Sequence, residues 1–274
     1  MIDIDAQKIE AIIRHVAATE IMPRFRNLQH GDSREKNPND FVTVADEAAE
    51  RAFERLLAEA LPGSLVVGEE AVARDKSVLD RFREDRPVWV IDPIDGTSNF
   101  MKGNETFGVL IALVRNGATQ YGWAFDAPGN RMAWAKRGGG AWLDGKRIEI
   151  RNDKTDLSQM VGYGVSGSAG KYKSVASRFK KMVRLRCVLH EFMHFFTGDA
   201  DFVMHVNELT PWDHAAVNLI AQEAGACSLI GDGAPYDPTF MGRASLITAP
   251  SRACWDKLHD VLNENSAPLT RRTH

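Results

Sequence analysis

Apolar residues recur along this chain at a helical spacing in some stretches and as short strand-like runs in others, and together they divide it into elements. From 4 to 22, Ile9, Ile12, Ile13, Val16 and Ala17 fall on one helical face with polar residues between them, so an amphipathic helix is predicted, ended or bent by Pro23. The segment 30–39 is polar and rich in turn formers and predicts a mobile loop. Residues 40–46 read as a short strand or as the lead-in to a helix over 47–61, where Ala48, Ala49, Ala52, Phe53, Leu56 and Leu57 share a face. Asp46 stands where that helix begins, a usual place for a capping carboxylate, and Pro62-Gly63 stops it.

Residues 65–67 and 88–91 are β-branched and aromatic runs of the kind found in buried strands. Further strands are predicted at 107–114, 117–125, 131–135 and 140–143, joined antiparallel by turns at Asn116-Gly117, 127–130 and Asp144-Gly145. From about Lys146 strands and helices alternate, which sets a soft boundary between an N-terminal α+β half, 1–145, with an antiparallel sheet, and a C-terminal α/β half, 146–274. The basic run 171–186 reads as a solvated helix face. A helix over 212–226 has Pro211 just upstream, Asp213 in its first turn and Gly225 as its stop; Ala216, Val217, Ile220, Ala221 and Ala224 make one side small enough for close packing.

Two of the predicted strands end in acids. The first runs into Gly68-Glu69-Glu70 and the second into Asp92-Pro93-Ile94-Asp95-Gly96-Thr97. Pro93 keeps the residue before it extended, so Asp92 and Asp95 are expected to point to one place. At a separation of about 5 Å and an effective dielectric of about 20, each like-charged pair costs roughly 3 kcal/mol, so a cation is required. Carboxylates together with a main-chain carbonyl such as that of Ile94 are hard oxygen donors and suit Mg²⁺ or Mn²⁺ rather than Zn²⁺. A lone Asp-Pro-x-Asp is commonly a solvated turn. Asp213, held at a rigid helix start, supplies the third contributor that changes that reading.

Composition narrows the classes. With 274 residues, 44% hydrophobic and 26% charged, the chain can bury a sizeable core. A net charge of -3 provides no basic field for nucleic acid or an anionic membrane, so neither is expected as a partner. The acidic start Met1-Ile2-Asp3-Ile4-Asp5 is unlike a secretory signal and the apolar run 107–114 is far too short to span a bilayer, so a cytoplasmic setting is expected. Cys187, Cys227 and Cys254 are odd in number and far apart, which indicates small core residues rather than a disulfide framework.

Two further motifs read as coincidences. Gly162-Tyr163-Gly164-Val165-Ser166-Gly167 satisfies G-x-G-x-x-G, but its strand is weak and no acid follows at ribose-binding distance. His190-Glu191-Phe192-Met193-His194 spells the H-E-x-x-H of a zinc peptidase, with Thr197-Gly198 close behind and leaving little helix.

With D-P-I-D-G-T at 92–97, Gly68-Glu69-Glu70 before it, and Trp212-Asp213 opening a small-residue helix that ends in Glu223-Ala224-Gly225, the chain resembles the inositol monophosphatase family over about 41–249. The resemblance implies an α+β fold, the layered αβαβα sandwich, and a Mg²⁺-dependent, lithium-sensitive phosphatase of small phosphomonoesters that is commonly a homodimer. It implies two or three Mg²⁺ ions, with Mn²⁺ as a substitute. Glu69, Asp92 and the Ile94 carbonyl would hold one ion, and Asp92, Asp95 and Asp213 a second. Thr97, hydrogen-bonded to Asp46, would orient the attacking water with Glu69, and the N–H groups of Gly96 and Thr97 would receive phosphate oxygens. Asp95 and Asp213 would also face the substrate, and Lys36 matches the family's mobile-loop lysine. Departures lie in the substrate wall: 186–191 is bulky and charged, and the family's sugar-gripping glutamate falls on Val206, with Glu208 displaced. Myo-inositol monophosphate or a similar polyol phosphate is therefore the first expected substrate, with histidinol phosphate or a nucleotide 3′-phosphate as alternatives.

Overall fold

The structure is a computed structural model that describes residues 2–38, 40–151, 154, 156–165, 172–264 and 272–273. Helix α1 (Ala6–Val16), capped by Asp5 through the N–H groups of Gln7 and Lys8, widens into a π-helical turn at Ala17–Ile21 and then tightens into a 3₁₀ turn, Met22–Arg24, that contains Pro23. Strands β1 (Ser33–Asn37) and β2 (Asp40–Thr43) form an antiparallel hairpin where the composition predicted only a loop. Helix α2 (Val44–Ala60) begins three residues earlier than its apolar face suggested, because Thr43 rather than Asp46 is the N-cap and Asp46 closes a capping box onto it.

Strand β3 (Leu65–Gly68), helix α3 (Glu69–Arg74), strand β4 (Val88–Asp95) and helix α4 (Thr97–Met101) lead into β5 (Gly108–Arg115), β6 (Ala118–Asp126), β7 (Arg131–Lys136), β8 (Gly140–Leu143) and β9 (Lys146–Arg147). Strands β3 to β9 lie side by side in sequence order in a seven-stranded sheet. All its pairs are antiparallel except β3 with β4, so the sheet is mixed. The Asn-Gly and Asp-Gly turns have positive φ at both residues, as tight hairpins require.

The second half contributes β10 (Val161–Gly164), α5 (Tyr172–Ala176), β11 (Lys181–Val183), α6 (Val188–Thr197), β12 (Phe202–Leu209), α7 (Pro211–Glu223), β13 (Cys227–Ile230), β14 (Gly242–Ala249), α8 (Arg252–Asn263) and β15 (Arg272–Thr273). Its sheet runs β11-β10-β12-β14-β13, with β15 on β14. The expected basic helix at 171–186 is a short helix followed by an edge strand: Phe179, Met182 and Val183 turn toward the core and interrupt a helical polar face. Lys171 lies outside the described residues, as do Ser166 and Gly167 of the glycine motif, whose Gly162 and Gly164 sit within β10 rather than in a strand-to-helix loop.

Strict alternation along the strands sorts side chains into three apolar layers and makes this an α+β αβαβα sandwich. Trp89, Ile91, Val109, Ile111, Leu113, Tyr121 and Trp123 face α1 and α2. Val88, Val90, Leu110, Ala112 and Ala124 face the opposite way, against α6, α7 and the inner side of the second sheet through Val203, Ala244 and Leu246. Phe202, Met204, Ile247 and Ala249 close the outer layer under α8. No helix among the described residues is long and apolar enough to cross a membrane.

Helix α7 approaches the first sheet closely because Gly122 has no side chain: a Cβ there would lie 2.7 Å from the Ala216 carbonyl oxygen and 2.9 Å from its Cα. Backbone on both sides leaves no flexible atom to yield. Gly122→Ala is therefore expected to cost about 1–3 kcal/mol, seen as a fall in Tm of several degrees by calorimetry; an unchanged Tm would refute this packing.

Candidate active site

The tip of β4 carries the first two carboxylates on one face for a reason the pattern of residues hides. In an uninterrupted strand, positions three apart point to opposite faces. Here Asp92 pairs with Leu110 and Asp95 with Gly108, so three steps on β4 match two on β5, a bulge that turns both aspartates toward α6 and α7. Ile94 faces the other layer, and its N–H donates to Asp92 Oδ1 at 3.0 Å. Gly96 follows at φ 92, with the Thr106 carbonyl oxygen 2.7 Å from where a Cβ would sit, so glycine is needed on both counts.

Asp213 arrives from the first turn of α7, where the Thr210 hydroxyl donates to its Oδ2 at 2.8 Å. Among the described residues, Asp92, Asp95 and Asp213 are the group of potential ligands whose oxygens gather within 4.8 Å of one another. Asp95 is gripped from across the middle layer by the start of α6: Val188 N–H donates to Oδ1 at 3.1 Å, Leu189 N–H to Oδ2 at 2.5 Å, and Cys187 Sγ lies 3.3 Å from Oδ2. Sequence reasoning missed this contact, since nothing in 186–191 marks it as a carboxylate cradle.

Glu69 and Glu70 begin α3, directly after β3 reaches the same edge. The hairpin swings Lys36 into them, with Nζ 2.8 Å from one oxygen of each. Thr97 Oγ1 lies 3.1 Å from Asp46 Oδ1 and 2.9 Å from the Ile94 carbonyl oxygen, so the expected Thr97–Asp46 hydrogen bond is present. Thr43 holds the other Asp46 oxygen through its N–H at 2.8 Å and its hydroxyl at 2.5 Å.

The electrostatics call for a cation. Burial pushes Asp92 well above the ordinary carboxylate range, and Glu69, Asp95 and Asp213 add to the shift. Asp95 rises to about 6, from burial first and then Asp213, with the α6 amides opposing. Asp46 also rises to about 6 through burial, against its hydrogen bonds to Thr43 and Thr97. Glu69 is raised by burial, with Glu70 and Asp213 adding to it and Lys36 opposing. A set of converging oxygen donors that repel one another fits a hard divalent ion and no soft one.

The H-E-x-x-H segment lies on α6, a ten-residue helix that begins at Val188 and stops at Thr197-Gly198 as expected, with Gly198 left-handed at its C-terminus. Its side chains nevertheless do not make a zinc site. His190 Nε2 faces the Phe107 carbonyl oxygen at 3.4 Å, His194 stacks on Tyr163 and faces Asp199, and Glu191 turns inward to His205. Val206, expected in the substrate wall, packs instead toward the α8 layer, and Glu208 is exposed. His205, one residue before Val206, is the side chain that turns toward α6. His214 is buried and pushed down to about 3, mainly by burial, so it stays neutral.

The model of the inositol monophosphatase family matches residues 4–269. Among curated proteins, inositol monophosphatase 1 of Sus scrofa is 31% identical over 215 residues, covering 73% of this chain and 75% of its own. The Nus factor SuhB of Vibrio cholerae is 30% identical over 224 residues, covering 77% and 79%. Among solved structures, the Thermotoga maritima IMPase superposes with a TM-score of 0.79 at 24% identity over 93% of this chain and 94% of its own.

Raised carboxylates give the site a pH signature. Between the ordinary carboxylate value of about 4 and the value of about 6 for Asp46 and Asp95, the native state holds more protons than the unfolded chain. Metal-free protein therefore loses stability from these groups as pH rises through that window, and the loss persists above it. Since metal ligands must be deprotonated, added Mg²⁺ is expected to raise Tm more at pH about 7.5 than at about 5. Thermal scans with and without Mg²⁺ check this, and equal shifts at both pH values would contradict it.

Proposed function

This chain belongs to the inositol monophosphatase family of phosphomonoesterases, and on that premise we propose that it hydrolyses myo-inositol monophosphate or a similar polyol phosphate with Mg²⁺. The observation that carries the reading is the convergence of Asp92, Asp95 and Asp213 within 4.8 Å, beside Glu69 and the Thr97–Asp46 pair. Glu69, Asp92, Ile94 through its carbonyl, Asp95 and Asp213 would hold the ions. When bound, they supply a lowered pKa for the attacking water and charge compensation for the leaving alkoxide.

The chain's own residues do the positioning. Thr97, with its hydroxyl proton directed at Asp46, presents an oxygen lone pair to the attacking water, and Glu69 takes up a proton beside it. The amides of Gly96 and Thr97 receive phosphate oxygens in the turn that the positive φ of Gly96 makes. Asp95 and Asp213 also border the substrate. No covalent enzyme intermediate is needed, which suits phosphoryl transfer, where orientation and charge neutralisation carry most of the catalysis. The same reading takes Mn²⁺ as a substitute ion, lithium as an inhibitor and a cytoplasmic homodimer as the working form. Because 186–191 and Val206 depart from the family pattern, histidinol phosphate and nucleotide 3′-phosphates belong in the same substrate screen.

Phosphate release from a panel of these esters with Mg²⁺ is the test. Asp92→Asn and Asp95→Asn are each expected to lower kcat by about 10³-fold, while His190→Ala keeps turnover. Activity that survives Asp95→Asn and disappears with His190→Ala would end the phosphatase reading in favour of a zinc hydrolase.

A further inference from the structure

A line of buried polar contacts crosses the middle layer and joins two of the acidic cluster's supports. Glu191 on α6 is 3% exposed. One of its oxygens accepts the Leu185 N–H at 2.7 Å, and the other lies 2.7 Å from His205 Nε2 on β12. His205 Nδ1 is 3.2 Å from His214 Nε2 on α7. His214 Nδ1 in turn lies 3.1 Å from the Thr210 carbonyl oxygen and 3.4 Å from its N–H. Thr210 caps α7 and donates its hydroxyl to Asp213.

At the other end, Leu185 opens the turn that delivers Cys187, Val188 and Leu189 to Asp95. Its carbonyl oxygen also accepts the Asn99 side-chain N–H at 2.9 Å, which ties that turn to α4. Two proton placements pair all three side chains of the line, each using one of the two contacts between His214 and Thr210. In one, His214 donates to the Thr210 carbonyl and accepts from His205; in the other, His214 donates to His205 and accepts the Thr210 N–H. Either way no member is left unpaired, which is the condition under which a buried polar network rigidifies its surroundings.

We propose that Glu191, His205 and His214 are positioning residues that set the separation of Asp95 and Asp213 and so tune how tightly that pair holds a divalent ion. The inference rests on the metal-site reading above. The three residues touch neither substrate nor ion; they act through the α6 amides at one end and Thr210 at the other. Loss of an orienting partner behind metal ligands typically costs 10- to 100-fold in affinity.

The test is Mn²⁺ titrated into the metal-free enzyme, with free Mn²⁺ followed by electron paramagnetic resonance well below each variant's Tm. His205→Ala and Glu191→Ala are expected to raise the Mn²⁺ Kd by about 10-fold or more, whereas Glu191→Gln, which can still accept from Leu185 and bond His205, restores most of it. Turnover by His205→Ala should recover at high metal concentration with an unchanged KM for the ester, a pattern that a loss of general stability would not produce. If His205→Ala fails to fold, His205→Gln, whose single amide reaches the Nε2 position toward Glu191 and places no polar atom at Nδ1 for His214, carries the same expectation. Wild-type Mn²⁺ affinity in a folded His205 variant overturns the proposal. Weakened binding supports it even if no ester is hydrolysed, and a wild-type enzyme that binds no Mn²⁺ ends both readings.

Discussion

Repulsion among buried carboxylates is the constraint on which this architecture turns. Asp92, Asp95 and Asp213 share a space in which each pair of negative charges costs roughly 3 kcal/mol at an effective dielectric of about 20, and Glu69 stands beside them. The fold answers with oriented positive ends. Asp46, Glu69 and Asp213 occupy the first turns of α2, α3 and α7, and Asp95 is clasped by the first amides of α6. Each helix start presents a partial positive charge of about half a unit. These ends soften the repulsion without abolishing it, which leaves the carboxylates raised yet able to bind a cation.

Placing acids at helix starts also solves a geometric problem. A carboxylate on a free loop would swing away from its neighbours as soon as the ion left. Here the strand tip is fixed by its pairing with β3 and β5, and α7 is seated on the first sheet through backbone contact at Gly122. Lys36 contributes differently, from a two-stranded hairpin that reaches over the edge to Glu69 and Glu70. In Lys36 the cost of burial is outweighed by the two glutamates, so it stays charged there.

Much of this was legible in the residues, and the limits have physical causes. Strands β3 to β8 were visible as apolar, largely buried runs, and the Asn-Gly turn marks one of their hairpins, whereas the two-residue β9 is exposed and polar and was not expected. The convergence of Asp92 and Asp95 was inferred from Pro93, whereas the bulge that produces it depends on the partner strand, which local sequence does not specify. The hairpin at 33–43 was hidden because β1 is exposed and polar, so it carries no apolar alternation. Thr43 was overlooked as the cap of α2, although a threonine three residues before an acid is the mark of a capping box. The contacts of Cys187 with Asp95 and of Glu191 with His205 join residues on different elements and leave no trace in spacing.

Departures from the family pattern then acquire a common meaning. The segment 186–191 and the residues near Val206 looked like an altered substrate wall. In the fold, Val206 turns away, while Glu191 and His205 meet inside the middle layer and lead to the cap of Asp213. What an ion requires of its ligands is separation and charge: the carboxylates supply the charge, and supports of different composition can set the separation. A lineage can therefore keep the acidic cluster and rebuild its support, so long as every buried polar atom in the replacement finds a partner. The acids at Asp92, Asp95 and Asp213 can thereby stay the same while the residues that set their spacing change.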